Sequence, residues 1–292
     1  MSAPGAGVPG PGPRRAGRPG GANGRHRGRP LLTWLYAPGD RPEVVAKALG
    51  SGADVVIVDL EDAVAPERKA YALDATAELL SDVHPVPVHV RIHAPRDIPA
   101  LASLPGLGGL RVPKVTHPSD VHRISELAPG LPLYPLLESA LAVEQAYAIA
   151  TAHPAVRGLS LGEADLRADL GVREDRGLDW PRSRIVVAAR AAALPPPVQS
   201  VHPDIGDLEA LAAGCARGRA LGFLGRAAIH PRQLPVIERA YLPTPQEIDA
   251  ARAVVAAAET DRGALALADG RFVDAAVVAG AHRVLALAER VG

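Results

Sequence analysis

Side chains that can carry a charge or hold a metal ion follow five successive predicted strands. They are Asp59, Glu61 and Asp62 after Asp54–Val58, Arg91 after Val86–Val90, Lys114 after Leu110–Pro113, Glu138 after Leu133–Leu137, and Glu163 with Asp165 after Leu159–Leu161. Buried parallel strands are short apolar runs, and polar residues at the carboxyl ends of several such strands build the active site of a (β/α)8 barrel. We therefore expect these strand ends to converge on one site.

Glu138 and Asp165 form the pair with the clearest chemistry. Two carboxylates from adjacent strand ends can bind Mg2+, which takes few protein ligands and keeps water or substrate oxygens in its remaining positions. The alternative is that both residues only cap helices or pair with arginines. Because other charged strand ends face the same predicted mouth, we favour the metal site and place Glu138 close to the substrate as well.

Arg91 can bind a carboxylate or keto-acid oxygen through two parallel hydrogen bonds. The alternative is a structural ion pair with Asp59, Glu61 and Asp62, which is compatible with substrate binding because a positioned arginine needs such partners. These neighbouring acids repel one another, so the cluster also predicts a nearby cation. Lys114, one of only three lysines in the chain, is a further candidate for substrate binding.

Two other motifs are weaker. The segment Gly158–Gly162 matches the G-x-S-x-G pattern of a nucleophile elbow, but Ser160 lies within the predicted strand rather than on the turn after it. His202 and His230 each precede a proline at the end of a predicted strand, and we expect them to form hydrogen bonds at the barrel rim. The chain has no Walker loop, no H-E-x-x-H and no G-x-G-x-x-G after a predicted strand, so nucleotide hydrolysis, zinc proteolysis and NAD chemistry lack sequence support.

The elements that must hold these residues alternate between strand and helix. The first strand is Leu32–Tyr36, and Asp40–Glu43 has the pattern of a capping box that opens a helix ending at Leu49. Further elements are predicted as helices near residues 67–80, 119–127 and 139–152, a helix from Asp207, and strands seven and eight at Val198–His202 and within Gly222–Ile229. Eight strands are the number that closes a barrel, so we predict an α/β fold of the (β/α)8 TIM-barrel type.

The chain divides into three predicted regions. Residues 1–30 are rich in Gly, Pro and Arg without apolar periodicity, which predicts a disordered tail. Residues 31–242 form the barrel. Residues 243–292, opened by the capping box Thr244–Glu247, form a helical extension that acts as a lid or an oligomer contact.

Composition limits the class of protein. The chain has 292 residues with 32 basic and 32 acidic side chains, and six of the arginines lie in the first 30 residues, so the remainder is mildly acidic. An acidic body with few aromatic residues argues against nucleic-acid binding. The single cysteine, Cys215, lies in an apolar segment typical of buried packing, which suits a reducing cytoplasm. No apolar run is long enough for a membrane span.

Taken in order, eight motifs resemble the citrate lyase β-subunit-like and malyl-CoA lyase group of the HpcH/HpaI aldolase family. They are Tyr36–Pro42, Val58–Val64, Val90–Ile92, Val112–Val115, Leu137–Ser139, Gly162–Leu166, Gly222–Pro231 and Gly270–Asp274. Each motif alone is weak, but together they run from Leu31 to the end of the chain. The resemblance implies a Mg2+-dependent lyase that makes or breaks a carbon–carbon bond between an acyl-CoA and a small keto acid.

The resemblance also implies roles for particular residues. It makes Glu138 and Asp165 the metal ligands and Arg91 the residue that binds the keto acid. It adds the acidic motif of Asp59, Glu61 and Asp62. We take Asp59 and Glu61 as catalytic residues, together with Arg91 and Asp274. It further implies a homotrimer or hexamer in which Asp274 reaches a neighbouring protomer's site, although an Asp at this position can equally cap the final helix, which starts at Ala275.

The sequence departs from the family pattern where the acyl-CoA is expected. Leu32 and Thr33 stand where the family usually has Arg and Ser, Ala72 and Leu73 follow Lys69 where an arginine is expected, and His93 replaces an Asn. These departures leave the proposed metal ligands in place, so the resemblance still implies a lyase of the citryl-, malyl- or citramalyl-CoA type, which we expect in the cytoplasm. The alternatives are a malate synthase or thioesterase activity at the same site, and a non-catalytic or carrier-bound citrate lyase β-like subunit.

Overall fold

The computed structural model describes residues 29–260, 265–266 and 272–290. The predicted disordered tail lies outside these residues except for residues 29–30, and so does most of the glycine-flanked stretch 263–270 before the last helix.

The centre of the molecule is a parallel sheet whose seven strands lie in the order β6-β5-β4-β3-β2-β1-β7. The strands are β1 (Thr33–Pro38), β2 (Val55–Asp59), β3 (Val88–Arg91), β4 (Leu107–Val112), β5 (Leu133–Leu137), β6 (Ser160–Leu161) and β7 (Arg226–Ala228). A separate antiparallel pair joins β8 (Leu265–Ala266) to β9 (Phe272–Val273). The predicted parallel α/β architecture is therefore present, with all seven strand ends on one side.

One predicted strand is absent. Val198–His202 was expected as strand seven, but it forms only isolated parallel bridges, from Val198 to Ser160 in β6 and from Gln199 to Arg226 in β7. Prolines precede and follow this segment and cannot donate to a strand ladder, which restricts the pairing to two residues. The segment thus lies between the two edge strands of the sheet without being a regular strand.

Helices connect the strands and cover the outer face of the sheet. They are α1 (Pro42–Leu49), α2 (Lys69–Leu80), α3 (Ile98–Leu101), α4 (Pro118–Leu127), α5 (Ala140–Glu144), α6 (Ala146–Thr151), α7 (Glu163–Leu170), α8 (Asp179–Ala191), α9 (Leu208–Leu221), α10 (Leu234–Tyr241), α11 (Pro245–Thr260) and α12 (Ala275–Ala288). The main core lies between these helices and the sheet, whereas a small second cluster of Trp34, Val55, Ile57 and Ala227 packs on the inner face.

Two local predictions about helices were wrong and one was confirmed. The capping box at Asp40–Glu43 does not form, because Arg41 is the N-cap of α1 and makes no side-chain capping bond. The helix expected over 139–152 is divided at Gln145 into α5 and α6. The box at Thr244–Glu247 does form: the Thr244 N–H donates to Glu247 Oε2 (2.7 Å), and the Glu247 N–H donates to Thr244 Oγ1 (3.2 Å).

The C-terminal helices have a small core of their own and a polar attachment to the sheet. Ala251 and Val254 of α11 pack with Val273 and Ala281. Beyond α12, the buried Arg290 guanidinium donates to Asp54 Oδ2 (2.8 Å), which precedes β2, and to Glu238 of α10. The end of α12 is thereby fixed near the amino ends of the strands. Whether the extension acts as a lid stays a prediction.

Among the described residues, no helix combines the length and the apolar character that crossing a membrane requires.

Candidate active site

A cavity of about 790 Å³ opens at the carboxyl ends of the strands. Its wall includes four of the predicted site residues, Asp59, Arg91, Glu138 and Asp165. The structure therefore brings these strand ends together, as their positions in the sequence predicted. We use the term acidic rim for the five acids at this mouth, which are Asp59, Glu61, Asp62, Glu138 and Asp165.

Arg91 is held by the three acids that follow β2. Its Nε donates to Asp59 Oδ1 (2.7 Å) and its Nη2 to Asp59 Oδ2 (2.5 Å), a two-point pair with a carboxylate that is 2% exposed. Nη1 donates to Asp62 Oδ2 (3.1 Å) and forms an ion pair with Glu61 Oε2 (3.2 Å). The predicted cation beside the acidic cluster is thus Arg91. Most of its donors are already occupied.

Lys114 joins the two buried glutamates of the rim rather than lining the cavity. Its Nζ forms an ion pair with Glu61 Oε1 (3.0 Å), and its backbone N–H donates to Glu138 Oε1 (2.6 Å). The backbone at Lys114 has φ = 57°, a left-handed conformation that is costly for a residue with a side chain. The strained turn after β4 therefore directs an N–H onto the predicted metal ligand.

Glu138 is buried against β6. A Cβ placed on Gly162 would lie 2.5 Å from Glu138 Oε2, so only glycine leaves room for this carboxylate. Burial raises the pKa of Glu138 to about 7, and the negative charges of Glu61 and Asp165 add to the effect against the opposing N–H of Lys114. Burial also raises the pKa of Glu61, although Arg91 and Lys114 oppose that shift.

The donor set at the rim fits a hard divalent cation. Burial and mutual repulsion disfavour the negative charge on Glu138, and a bound cation would relieve both. The described residues contain no cluster of three or more His, Cys, Asp or Glu side chains arranged around a metal. Mg2+ does not require one, because it commonly binds one or two carboxylates and completes its shell with water and substrate oxygens. Glu138 and Asp165 are the residues that would hold it.

Behind Asp165, the start of α7 is fixed by a buried arginine. Arg182 on α8 donates to both carboxylate oxygens of Glu163 (2.9 and 2.7 Å) and to both of Asp175 (2.8 Å each). The hydrogen bond from Arg182 lowers the pKa of Asp175 to about 2. These pairs fix the first turn of α7, which carries Asp165, along one side of the cavity.

Asp274 lies away from this cavity in the single chain. It is the N-cap of α12, and its Oδ1 accepts a hydrogen bond from the Val277 N–H (2.9 Å). The capping role that the sequence allowed is therefore present. A role in the site of a second protomer stays a prediction.

The two histidines behave differently. His230 caps a short helical turn, since its Nδ1 accepts from the Arg232 N–H (3.1 Å), which agrees with the structural role expected for it. His202 lines the cavity, and its buried Nε2 has no hydrogen-bond partner in the structure, while its backbone oxygen accepts from Gln233 Nε2 (3.0 Å). Cys215 is buried, and burial raises the pKa of its thiol, as expected for packing rather than catalysis.

Sequence reasoning missed a buried arginine that lines the cavity. Arg111 is the penultimate residue of β4 and is 3% exposed, with its guanidinium 4.4 Å from the Trp34 ring centroid and 4.5 Å from that of Tyr134. Its Nη1 donates to Ser160 Oγ (3.0 Å), which gives the serine of the G-x-S-x-G segment a structural partner and no nucleophilic geometry. The one available signal was a charged residue within an otherwise apolar strand.

Comparison with known proteins identifies relatives along most of the chain. The family model described as HpcH/HpaI aldolase/citrate lyase matches residues 32–231. A (3S)-malyl-CoA thioesterase of Cereibacter sphaeroides is 34% identical over 281 residues, covering 91% of this chain and 97% of the relative. A citrate lyase subunit beta-like protein of Mycobacterium tuberculosis is 37% identical over 262 residues, covering 86% of this chain and 93% of the relative.

A lyase and a solved structure extend the comparison. An L-malyl-CoA/beta-methylmalyl-CoA lyase of Cereibacter sphaeroides is 29% identical over 307 residues, covering 90% of this chain and 96% of the lyase. The crystal structure of the CitE protein of Mycobacterium tuberculosis in complex with magnesium, acetoacetate and coenzyme A has a TM-score of 0.77 at 36% identity. That match covers 89% of this chain and 98% of the other.

Proposed function

Because the chain belongs to the HpcH/HpaI aldolase/citrate lyase family, a family of carbon–carbon lyases, we propose that it is a Mg2+-dependent acyl-CoA lyase. Its substrate would be a 3-hydroxyacyl-CoA thioester of the citryl-, malyl- or citramalyl-CoA type, cleaved to an acyl-CoA and a small keto acid. The observation that supports this most directly is the acidic rim, in which the buried Glu138 has a pKa near 7 and Arg91 is held by Asp59.

The metal would be held by Glu138 and Asp165. When bound, Mg2+ supplies a Lewis acid that stabilises negative charge on the keto-acid oxygens. The relative whose structure contains magnesium, acetoacetate and coenzyme A supports this choice of metal and of substrate class. The raised pKa of Glu138 supports it independently, because burial and then the negative charges of Glu61 and Asp165 disfavour the carboxylate, and a divalent cation would offset both effects.

The remaining residues of the rim would orient the reactants. Arg91 would hold the keto acid near the metal ligands, with Asp59 and Glu61 fixing the guanidinium in place. In the cleavage direction the hydroxyl proton leaves and the carbon–carbon bond breaks. The electron pair of that bond passes to the thioester enolate, which takes up a proton to give the acyl-CoA. Asp274 of a second protomer is our candidate for that proton transfer.

We also propose that the sheet closes into a barrel and that the C-terminal extension is a lid or an oligomer contact. The bridges of Val198 and Gln199 to the two edge strands support a closed barrel of eight strand positions, in which this segment takes the place of a regular strand. The separate core of α11 and α12 supports a lid or an oligomer contact built from the C-terminal extension, in a homotrimer or hexamer.

Thioester hydrolysis is the second candidate, and the 34% identity to malyl-CoA thioesterases favours it. The two reactions differ in their products. A lyase releases a keto acid and keeps the thioester bond, whereas a thioesterase releases free CoA thiol and an acid. A carrier-bound or non-catalytic subunit is the remaining alternative. It is supported by the citrate lyase beta-like relative and predicts no binding of acyl-CoA in the absence of a carrier protein.

The deciding experiment incubates the purified protein with malyl-CoA, citramalyl-CoA and citryl-CoA, each with Mg2+ or with EDTA. Keto acid is trapped as its phenylhydrazone, and free CoA is measured with a thiol reagent, to which the single buried cysteine adds little background. We expect Mg2+-dependent release of keto acid without an equal release of thiol. Equal release of thiol and acid would establish the thioesterase instead, and no turnover or binding of any thioester would reject both activities.

A further inference from the structure

The cavity described above continues past the acidic rim to a second polar group, the Arg111 guanidinium. Three aromatic side chains, Trp34, His89 and Tyr134, surround it, and we call them the aromatic cage. The Trp34 and His89 rings lie 5.5 Å apart, and the His89 and Tyr134 rings 4.8 Å apart, between ring centroids. A Cβ on Gly109 would lie 2.9 Å from the Tyr134 ring, so a glycine makes room for the cage.

Arg111 is buried without a counter-ion among the described ion pairs. Arg182 pairs with Glu163 and Asp175, and Arg290 pairs with Asp54 and Glu238. The buried Arg226 has no described acid either, but its Nε donates to the Ser200 carbonyl oxygen (2.9 Å). The described ion pairs include no acid for Arg111, whose single polar partner is the Ser160 hydroxyl. Its Nε and Nη2 are buried and have no hydrogen-bond acceptor in the structure.

The cage adds two more buried polar atoms without partners, Trp34 Nε1 and His89 Nδ1. An unpaired buried guanidinium costs several kcal/mol, because little in its surroundings replaces the water it has lost. Contacts with two aromatic faces recover only part of that cost. A cluster of unpartnered donors around an uncompensated positive charge is the environment that an anion would satisfy.

The strand register places this charge within reach of a small substrate bound at the rim. Ser160, which accepts the Nη1 hydrogen bond, pairs with Leu136 in the β5–β6 ladder, two residues before Glu138. Two residues of a strand span about 7 Å. A four-carbon keto acid has about 4 Å between its terminal carbons, at about 1.5 Å per bond. A contact of about 2–3 Å at each end covers the remaining distance.

We propose that Arg111, with Trp34 Nε1–H beside it, binds a second carboxylate of the keto acid, so that the enzyme prefers a dicarboxylic 2-oxo acid over a monocarboxylic one. This inference rests on the proposed function and specifies its substrate class. Arg91 is less suited to the distal carboxylate because Asp59, Glu61 and Asp62 already occupy it. Arg111 has its Nε and Nη2 donors without an acceptor.

The test measures binding of oxaloacetate and of pyruvate in the presence of Mg2+ by calorimetry. Wild type, Arg111→Gln, Arg111→Met and Trp34→Phe are compared. Arg123→Gln serves as the matched control, because Arg123 is 63% exposed and its one ion pair among the described residues is with Asp120. Melting temperatures accompany each titration. If Arg111 were a structural residue, both of its variants would melt markedly earlier, whereas we expect removal of an uncompensated charge to leave melting within a few degrees of wild type.

We expect wild type to bind oxaloacetate more tightly than pyruvate. Arg111→Gln should lower the affinity for oxaloacetate by about 10- to 100-fold, as for a charge-assisted hydrogen bond, and leave the affinity for pyruvate nearly unchanged. Trp34→Phe should lower the affinity for oxaloacetate by a smaller factor. Equal losses for both acids, an unchanged preference, or an effect seen only with acyl-CoA thioesters would overturn the assignment of Arg111. Wild type that binds neither acid with Mg2+ would reject the proposed function itself, an outcome separate from the other three.

Discussion

The two ends of the cavity use arginine in opposite ways. At the acidic rim, Arg91 is surrounded by Asp59, Glu61 and Asp62, and the acids remain in excess. Within the aromatic cage, Arg111 is more deeply buried than Arg91 and has one hydroxyl partner and no described acid. An arginine whose N–H groups already have acceptors is fixed in place, and the excess acids around Arg91 favour a cation. An arginine whose N–H groups lack acceptors, such as Arg111, keeps donors for a ligand. The two proposals together describe a cavity that would bind a cation at its mouth and an anion beside Arg111.

The first prediction removes the cation-binding side of this comparison. Glu138→Gln keeps the shape and the burial of the side chain but loses the negative charge, so Mg2+ affinity and Mg2+-dependent turnover should both be lost, the latter by about 1,000-fold or more. Calorimetric Mg2+ titration and the keto-acid assay measure the two effects. Glu126→Gln, on the exposed side of α4, is the matched control. Retained Mg2+ affinity in Glu138→Gln would remove Glu138 from the metal site.

The second prediction tests whether Asp274 of a second protomer completes the site. Asn caps helices about as well as Asp, so Asp274→Asn should keep α12 and the melting temperature while lowering turnover about 100-fold if the carboxyl group transfers a proton. Mixing inactive Asp274→Asn with inactive Glu138→Gln under subunit exchange should restore part of the activity. Mixed oligomers that form but stay inactive would limit Asp274 to its capping role.

The third prediction separates the geometry of Arg91 from its charge. Arg91→Lys keeps the charge but cannot make the two-point contact with Asp59, so kcat/KM should fall by about 10- to 100-fold, nearly as far as in Arg91→Ala. Arg91→Ala should also lower the free energy of unfolding by about 3–5 kcal/mol, because it leaves the Asp59 carboxylate buried without its cation. Chemical denaturation gives that second quantity. Turnover like wild type in Arg91→Lys would make the residue purely structural.

The difference between the two ends of the cavity also explains what the sequence could predict. The rim follows from a local rule, since residues after parallel strands share one edge of the sheet, and Asp59, Arg91, Glu138 and Asp165 do meet there. The aromatic cage depends on which strands are neighbours and on their register, since Trp34, Arg111 and Tyr134 come from three strands. No local pattern contains that information.

Failures in the fold have equally specific causes. Val198–His202 has the apolar pattern of a strand, but the prolines on both sides limit its pairing to isolated bridges. The interior contact of Glu138 with Gly162 joins two strand ends across β5 and β6, so the requirement for glycine at 162 could not be derived from the G-x-S-x-G spacing. Pattern alone therefore finds elements more reliably than it finds the contacts between them.

The last prediction concerns the outer part of the mouth, where the ion pairs are partly exposed and the effect is smallest. Arg182 lowers the pKa of Asp175 to about 2, below the ordinary value of about 4 in an unfolded chain. A carboxyl group with a lowered pKa in the folded state stabilises the protein above its unfolded pKa. That contribution is lost as the pH falls from about 4 to about 2.

Asp175→Asn should therefore melt earlier than wild type at pH 5, with a difference that shrinks towards zero as the pH approaches 2. The difference should be only about 2 °C, because the Asp175 side chain is 53% exposed and solvent screens the pair. Asp249→Asn, 74% exposed on α11, is the control and should show no such pH dependence. A difference that persists at pH 2 would mean that Asp175 acts through packing, and that charge pairing does not fix the first turn of α7, which carries Asp165.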